Sequence, residues 1–141
     1  MGGDIHPPGR IRRVARISRE MVRAEPDTLF VFGDNMARAG YGGQAREMRG
    51  EPNAVGVPTK WRPERNSGAY FTNAAWQSPD VRYAITWAFN RMRHALDAGR
   101  DVVIPADGLG TGLAELPARA PELHARIERA IARLEATYGT A

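Results

Sequence analysis

The stretch TLFVFGDNMARAGYGGQA, residues 28–45, decides how the chain is read. Residues 28–32 are a short uninterrupted apolar run, the pattern of a strand buried on both faces. Residues 33–43 then form a glycine-bearing loop, and 43–49 fit a short helix stopped by Gly50. Strand, glycine loop, helix is the unit from which open α/β sheets are built, and ligands bind such sheets beyond the carboxyl ends of the strands.

Outward from that unit the pattern repeats. Residues 53–58 (NAVGVP) and 101–105 (DVVIP) are further apolar strands. The second is followed by another glycine loop, ADGLGTGLAEL at 106–116. Between them Ser78 caps a helix with Pro79 in its first turn. Its apolar face is Val81, Ile85, Ala88, Met92 and Leu96, and Gly99 stops it. Leu123, Ile127, Ile131, Leu134 and Tyr138 mark a final amphipathic helix. Toward the N-terminus, residues 11–17 suit a strand or a turn of helix, and 18–24 a short helix capped by Ser18 and ended by Pro26. Residues 60–77 read as irregular, with a short extended piece at 70–72. The expected fold is a three-layer α/β/α sandwich on a mixed, mostly parallel sheet. Residues 1–10 form a flexible N-terminal segment and 11–141 one domain.

Composition narrows the chemistry. The 141 residues are 43% hydrophobic and 26% charged, ordinary for one globular domain. No apolar run is long enough for a membrane helix, and the first residues lack the apolar core of a signal peptide, so a cytoplasmic monomer is expected. With no cysteine, disulfides and thiolate chemistry are excluded. His6, His94 and His124 are scattered, so neither a metal site nor a cofactor is expected. The net charge of +4 comes from one place. Arg10, Arg12, Arg13, Arg16, Arg19 and Arg23 face only Asp4 and Glu20 within residues 1–23, and the rest of the chain balances. Such a stretch suits nucleic-acid phosphates, or an edge strand kept soluble by charge.

Nearly every basic residue is arginine; the single lysine is Lys60. A lysine can lose its proton where a guanidinium cannot, so Lys60, just past a strand end, is the candidate nucleophile or base. Its other reading is a plain electrostatic contact to a ligand phosphate. The two glycine loops can bring bare N–H groups to a diphosphate, assisted by the helix N-termini that follow them. Asn35 could hold a ribose hydroxyl, and Asp107 could orient a water. In the bland alternative Asp34, Asn35 and Asp107 only cap turns, Trp61 packs, and Arg62 is a surface charge.

Taken together, the strand ending in Asn35, the glycine loop, VPTKWR, the long helix and the Ile-Pro-glycine loop resemble the macrodomain superfamily of ADP-ribose binders. The similarity points to the branch that holds DarG, the DNA ADP-ribosyl glycohydrolase antitoxin, and the terminal ADP-ribose glycohydrolases. Thr59, Lys60, Trp61 and Arg62 match that branch's Thr-Lys with Trp-Arg, and Ile104, Pro105, Gly108, Gly110 and Gly112 match its second phosphate loop. The resemblance spans roughly residues 28–134. It implies that Asn35, beside Asp34, contacts the ribose. Gly40, Tyr41, Gly42 and Gly43 would form one phosphate loop. Asp107, Gly108, Leu109, Gly110, Thr111, Gly112 and Leu113 would form the other. It also implies a hydrolase that removes ADP-ribose from a nucleobase or a protein carboxylate through Lys60. Two departures stand out. The acid that reads adenine in many macrodomains is missing at Ala15-Arg16-Ile17, and the loop position of some relatives' catalytic Asp is Gly112. Two other readings share the pocket. One is a module that binds ADP-ribose or a nucleotide without cleaving it. The other is a nucleoside-monophosphate phosphoribohydrolase, since GLGTGLAE (108–115) resembles that family's loop and would make Glu115 catalytic.

Overall fold

The structure, a computed structural model, describes residues 7–141. Four strands, β1 (Ile11–Val14), β2 (Leu29–Asn35), β3 (Ala54–Lys60) and β4 (Val102–Pro105), form one sheet in the order β1-β4-β2-β3. Every pair in it is parallel, which corrects the expected mixed sheet. The reason lies in the connections: a helix separates each strand from the next, so none returns through a hairpin. Among the described residues the one antiparallel contact is an isolated bridge between Lys60 and Tyr70. This bridge is all that forms of the extended piece expected at 70–72. Around it lie two 3-10 turns, Ser67–Ala69 and Asn73–Gln77.

Alternation along the strands builds two cores. Leu29, Val31, Val55, Val57 and Ile104 face the long helices α3 (Pro79–Asp97) and α5 (Pro121–Tyr138). Phe30, Phe32 and Val103 face the other side. There Val22 of α1 (Arg19–Ala24) and Ala45 and Met48 of α2 (Ala45–Met48) cover them. Helices therefore cover both faces of the sheet. Ser18 caps α1 as its side chain accepts from the Met21 N–H, and Ser78 does the same for α3 through Val81. No helix among the described residues is long and apolar enough to cross a membrane.

Both sheet edges are blunted. On β1, the Ile11 N–H donates to Gly139 O and Ile11 O accepts from Ala141 N, so the C-terminal residues line that edge. On β3, Pro58 has no N–H to offer, and Arg91 donates to Ala54 O at 3.3 Å. The arginine-rich stretch contains the edge strand β1 and is largely paired. Arg12 meets Glu25 at 2.7 Å and Asp101 at 3.5 Å, Arg13 meets Glu135 at 3.1 Å, and Arg19 and Arg23 share Glu51. The flexibility expected for residues 1–6 lies outside the described residues. Residues 7–10 carry no regular element but are tied down. Buried Gly9 donates to Leu96 O at 2.8 Å, and a Cβ there would fall 1.8 Å from Arg100 O.

Candidate functional site

Because β2, β3 and β4 are parallel, their carboxyl ends come together, and the loops that follow enclose a cleft of about 440 Å³. The first loop contributes residues 40–45, and the second contributes Gly110, Gly112, Leu113 and Ala114. The loops meet through Gly42, where a Cβ would lie 3.0 Å from Leu113 Cδ1. None of these residues donates its backbone N–H to a protein acceptor among the described residues. The cleft is thus walled by two tracts of bare amide donors. The helices behind them, α2 and α4 (Leu116–Arg119), have only four residues each. Such single turns carry little macrodipole, so the expected helix assistance falls away and the loop amides themselves are the anion-binding feature.

The strands run further than the sequence suggested. β2 continues through Asp34 and Asn35, and β3 through Thr59 and Lys60, in a register that shifts between Asp34 and Asn35. Buried Thr59 donates its hydroxyl to Asp34 O at 3.1 Å. Lys60 is only 7% exposed. Its Nζ donates to Glu64 O at 2.8 Å and stands 4.2 Å from the centre of the Tyr70 ring. Arg119 approaches the same ring at 3.7 Å and pairs with Glu115. Burial holds the Lys60 pKa below the usual lysine value, and Arg65 and Arg119 push the same way against Glu64 and Glu115.

Comparison with protein families gives one match. A family described only as a family of unknown function fits residues 12–130. The chain belongs to that family, DUF7831. No curated protein and no solved structure matches it. The span that the DUF7831 match covers includes both glycine loops, Lys60 and every lining residue of the cleft.

Within this DUF7831 chain, the cleft collects Asp34, Asn35, Gly40, Tyr41, Gly42, Gly43, Thr59, Lys60, Gly110, Gly112 and Leu113. Trp61, Arg62, Asp107, Gly108, Leu109 and Thr111 are not among its lining. Trp61 packs edge-on against Phe71 with ring centres 5.0 Å apart. Exposed Arg62 reaches Glu64 at 3.5 Å. Leu109 is buried in the core, and Gly108 faces Glu128 of α5, whose Oε1 a Cβ would approach to 2.6 Å. Asn35 lines the cleft while its amide donates to Ala39 O at 2.8 Å, so it also closes the turn. Asp34 accepts from the Asn35 N–H and from Arg49 at 2.6 Å. Arg49 also donates to Gly40 O at 2.8 Å, bracing the first loop from behind.

Sequence reasoning did not find Arg49, Gln44, Arg65 or Tyr70. Gln44 accepts from the Gly33 N–H at 2.8 Å and so ties the loop to its strand. One signal was available, an aromatic ten residues after the lone lysine.

Proposed function

We propose that this protein binds the diphosphate of an ADP-ribosyl group in the cleft and hydrolyses the bond between that group and a nucleobase or a carboxylate. The observation that carries the reading is the pair of facing glycine loops with unpaired N–H donors, set around the chain's one lysine. Such donors suit the two phosphates of a pyrophosphate. Tyr41 and Leu113, 66% and 54% exposed, stand on the two loops and offer apolar surface for the rest of a nucleotide to cover. The fold that this reading implies is a macrodomain-like sandwich.

Lys60 then supplies the chemistry. Its lowered pKa raises the fraction of neutral amine, whose lone pair attacks the anomeric carbon of the ribose. The glycosidic bond breaks and its electrons leave with the base or carboxylate. Loss of the amine proton and opening of the ribose ring give an imine, and water hydrolyses it to free ADP-ribose and lysine. A neutral amine can keep donating to Glu64 O while it presents its lone pair.

The test is calorimetric titration with ADP-ribose, followed by incubation with ADP-ribosylated DNA and ADP-ribosylated protein. Lys60→Ala and Lys60→Arg should each cut turnover to below about a hundredth of wild type, with ADP-ribose binding weakened only modestly. Near-normal turnover by Lys60→Arg would refute attack by the amine. Gly112 faces open space, so Gly112→Val should block phosphate without disturbing packing. Unchanged affinity in that variant would remove the diphosphate site. Binding without turnover by wild type would leave a reader of ADP-ribose. A further reading, phosphoribohydrolase, is favoured by Glu115, which lines the cleft with its backbone at φ 50° and pairs with Arg119. Release of free base from a nucleoside monophosphate would decide for it.

A further inference from the structure

Arg126, Arg129 and Arg133 recur at intervals of three and four along α5, so they share one face of the helix, and all three are exposed. None has a carboxylate within ion-pair distance among the described residues. In the N-terminal stretch Arg12, Arg13, Arg19 and Arg23 each meet a carboxylate, while Arg10 and Arg16 meet none among the described residues. Like charges three or four apart on a helix repel each other and lower its stability. An anionic partner with repeated charges reverses that cost.

At the N-terminal end of this stripe lies a groove of about 310 Å³, separate from the cleft in its lining and formed where α5 meets the 3-10 turn Asn73–Gln77. Its wall includes Trp76, and the Arg126 guanidinium sits over the Trp76 ring at 4.4 Å. Arg129 lines the groove too, and Glu122 is the one acid in it. Asn73 secures the junction by accepting from the Glu122 N–H at 2.9 Å. An arginine held over an indole is a cationic, planar surface of the kind on which an unpaired base stacks.

We propose that this face of α5, with the groove at Trp76, docks a single-stranded nucleic acid. The three arginines contact successive phosphates, and a base stacks at Arg126. Charge supports that occupant. Arg126 to Arg133 spans about 10 Å of helix axis, and three guanidinium groups with no carboxylate partner among the described residues suit the repeated charges of one flexible strand. The groove distinguishes a single strand from a duplex, whose bases are already stacked, and from an acidic protein, which has no base to place there. The surface is separate from the cleft and does not depend on what the cleft binds.

The test is fluorescence anisotropy of the full chain with a labelled oligothymidylate of about a dozen nucleotides, titrated at several salt concentrations. Wild type should bind with a log–log salt slope of about −2, from three phosphate contacts on a single strand. Arg126→Gln/Arg129→Gln/Arg133→Gln, all at exposed positions, should remove nearly all of that slope while circular dichroism stays unchanged. Arg126→Lys should keep the slope but weaken binding about tenfold. Arg10→Gln/Arg16→Gln, which neutralises two N-terminal arginines outside the ion pairs among the described residues, should bind like wild type. Excess ADP-ribose should not displace the oligonucleotide. The proposal is overturned if wild type does not bind or if the triple variant binds normally. Equal binding of duplex or polyglutamate, or displacement by ADP-ribose, overturns it as well.

Discussion

Lys60 is buried at a strand end, and burial is the largest of the influences that hold its pKa below the ordinary value. Two nearby guanidinium groups, Arg65 and Arg119, act in the same direction, while Glu64 and Glu115 restore only part of the shift. For a lysine, a lowered native pKa means that protonation is resisted by the fold. The native state therefore gains stability as pH rises from the lowered value toward the ordinary one. Because the chain has one lysine, its titration need be separated only from that of an α-amine, which titrates lower, at about 8. Reductive ¹³C-methylation of Lys60, followed by NMR across the alkaline range, should show a midpoint below about 10.4, the ordinary lysine value. A midpoint at or above that value would remove the physical basis for a nucleophilic amine. Partners separate Asp34 from Lys60: Asp34 is spent on Arg49 and the Asn35 N–H, whereas Lys60 has a single backbone acceptor and the Tyr70 ring beside it.

At the scale of elements, short α1 and α2 depend on each other more than on their own turns. Helices of six and four residues cannot persist by propensity alone. Arg19 of α1 donates to Arg46 O and Arg49 O at the end of α2, and it shares Glu51 with Arg23. The hydrogen bond from Arg19 is the main cause that holds the Glu51 carboxyl below its usual pKa, against the opposing effect of burial. A depressed carboxylate contributes stability above its ordinary pKa and loses it as pH falls through the lowered one. The melting temperature of wild type should therefore exceed that of Glu51→Gln at about pH 6, and the gap should narrow as pH falls below the ordinary carboxylate value of about 4.3. A gap that does not change with pH would show that the clasp acts through shape rather than charge. Since Arg49, which follows α2 as its C-cap, braces the first glycine loop, this clasp also bears on the cleft.

Across the whole molecule, the cleft exists because parallel strands bring distant loops to one end. Gly110 marks the convergence. Its φ is +76°, and a Cβ there would lie 3.0 Å from Thr59 Cβ on β3 and 2.9 Å from Leu116 Cβ on α4. Left-handed strain and overpacking together should cost Gly110→Val about 3 kcal/mol in urea unfolding. Gly112→Val, in open space, should stay within about 0.5 kcal/mol of wild type. Equal stability of the two variants would mean that the second loop can retreat from β3. Gly110 is therefore part of the framework, and Gly112 is the cleaner probe of ligand contact.

Local pattern alone determined most elements of this protein, though it left residues 11–17 open between strand and helix and did not mark the short helix Leu116–Arg119. Apolar runs at 28–32, 53–58 and 101–105, the Ser18 and Ser78 caps, and the two glycine loops all mark features that the structure contains, because each depends on residues close together in the chain. The loops' shared position at the carboxyl ends of the strands was also legible, since it follows from strand-loop-helix order. Tertiary structure decided what depends on distant partners. Strand order placed β1 at an edge and closed it with residues 139–141. Pairing with β3 drew Asp34 and Asn35 into β2. Among the described residues, long-range ion pairs consumed much of the N-terminal arginine charge that the sequence presents as free, and left Arg126, Arg129 and Arg133 of α5 unpaired. Packing turned Trp61 and Gly108 away from the cleft and brought Arg49, Gln44 and Tyr70 to it. The physical reason is the same in each case: capping and periodicity act over a few residues, whereas ion pairing, burial and sheet register are contests among groups that meet only once the chain has folded.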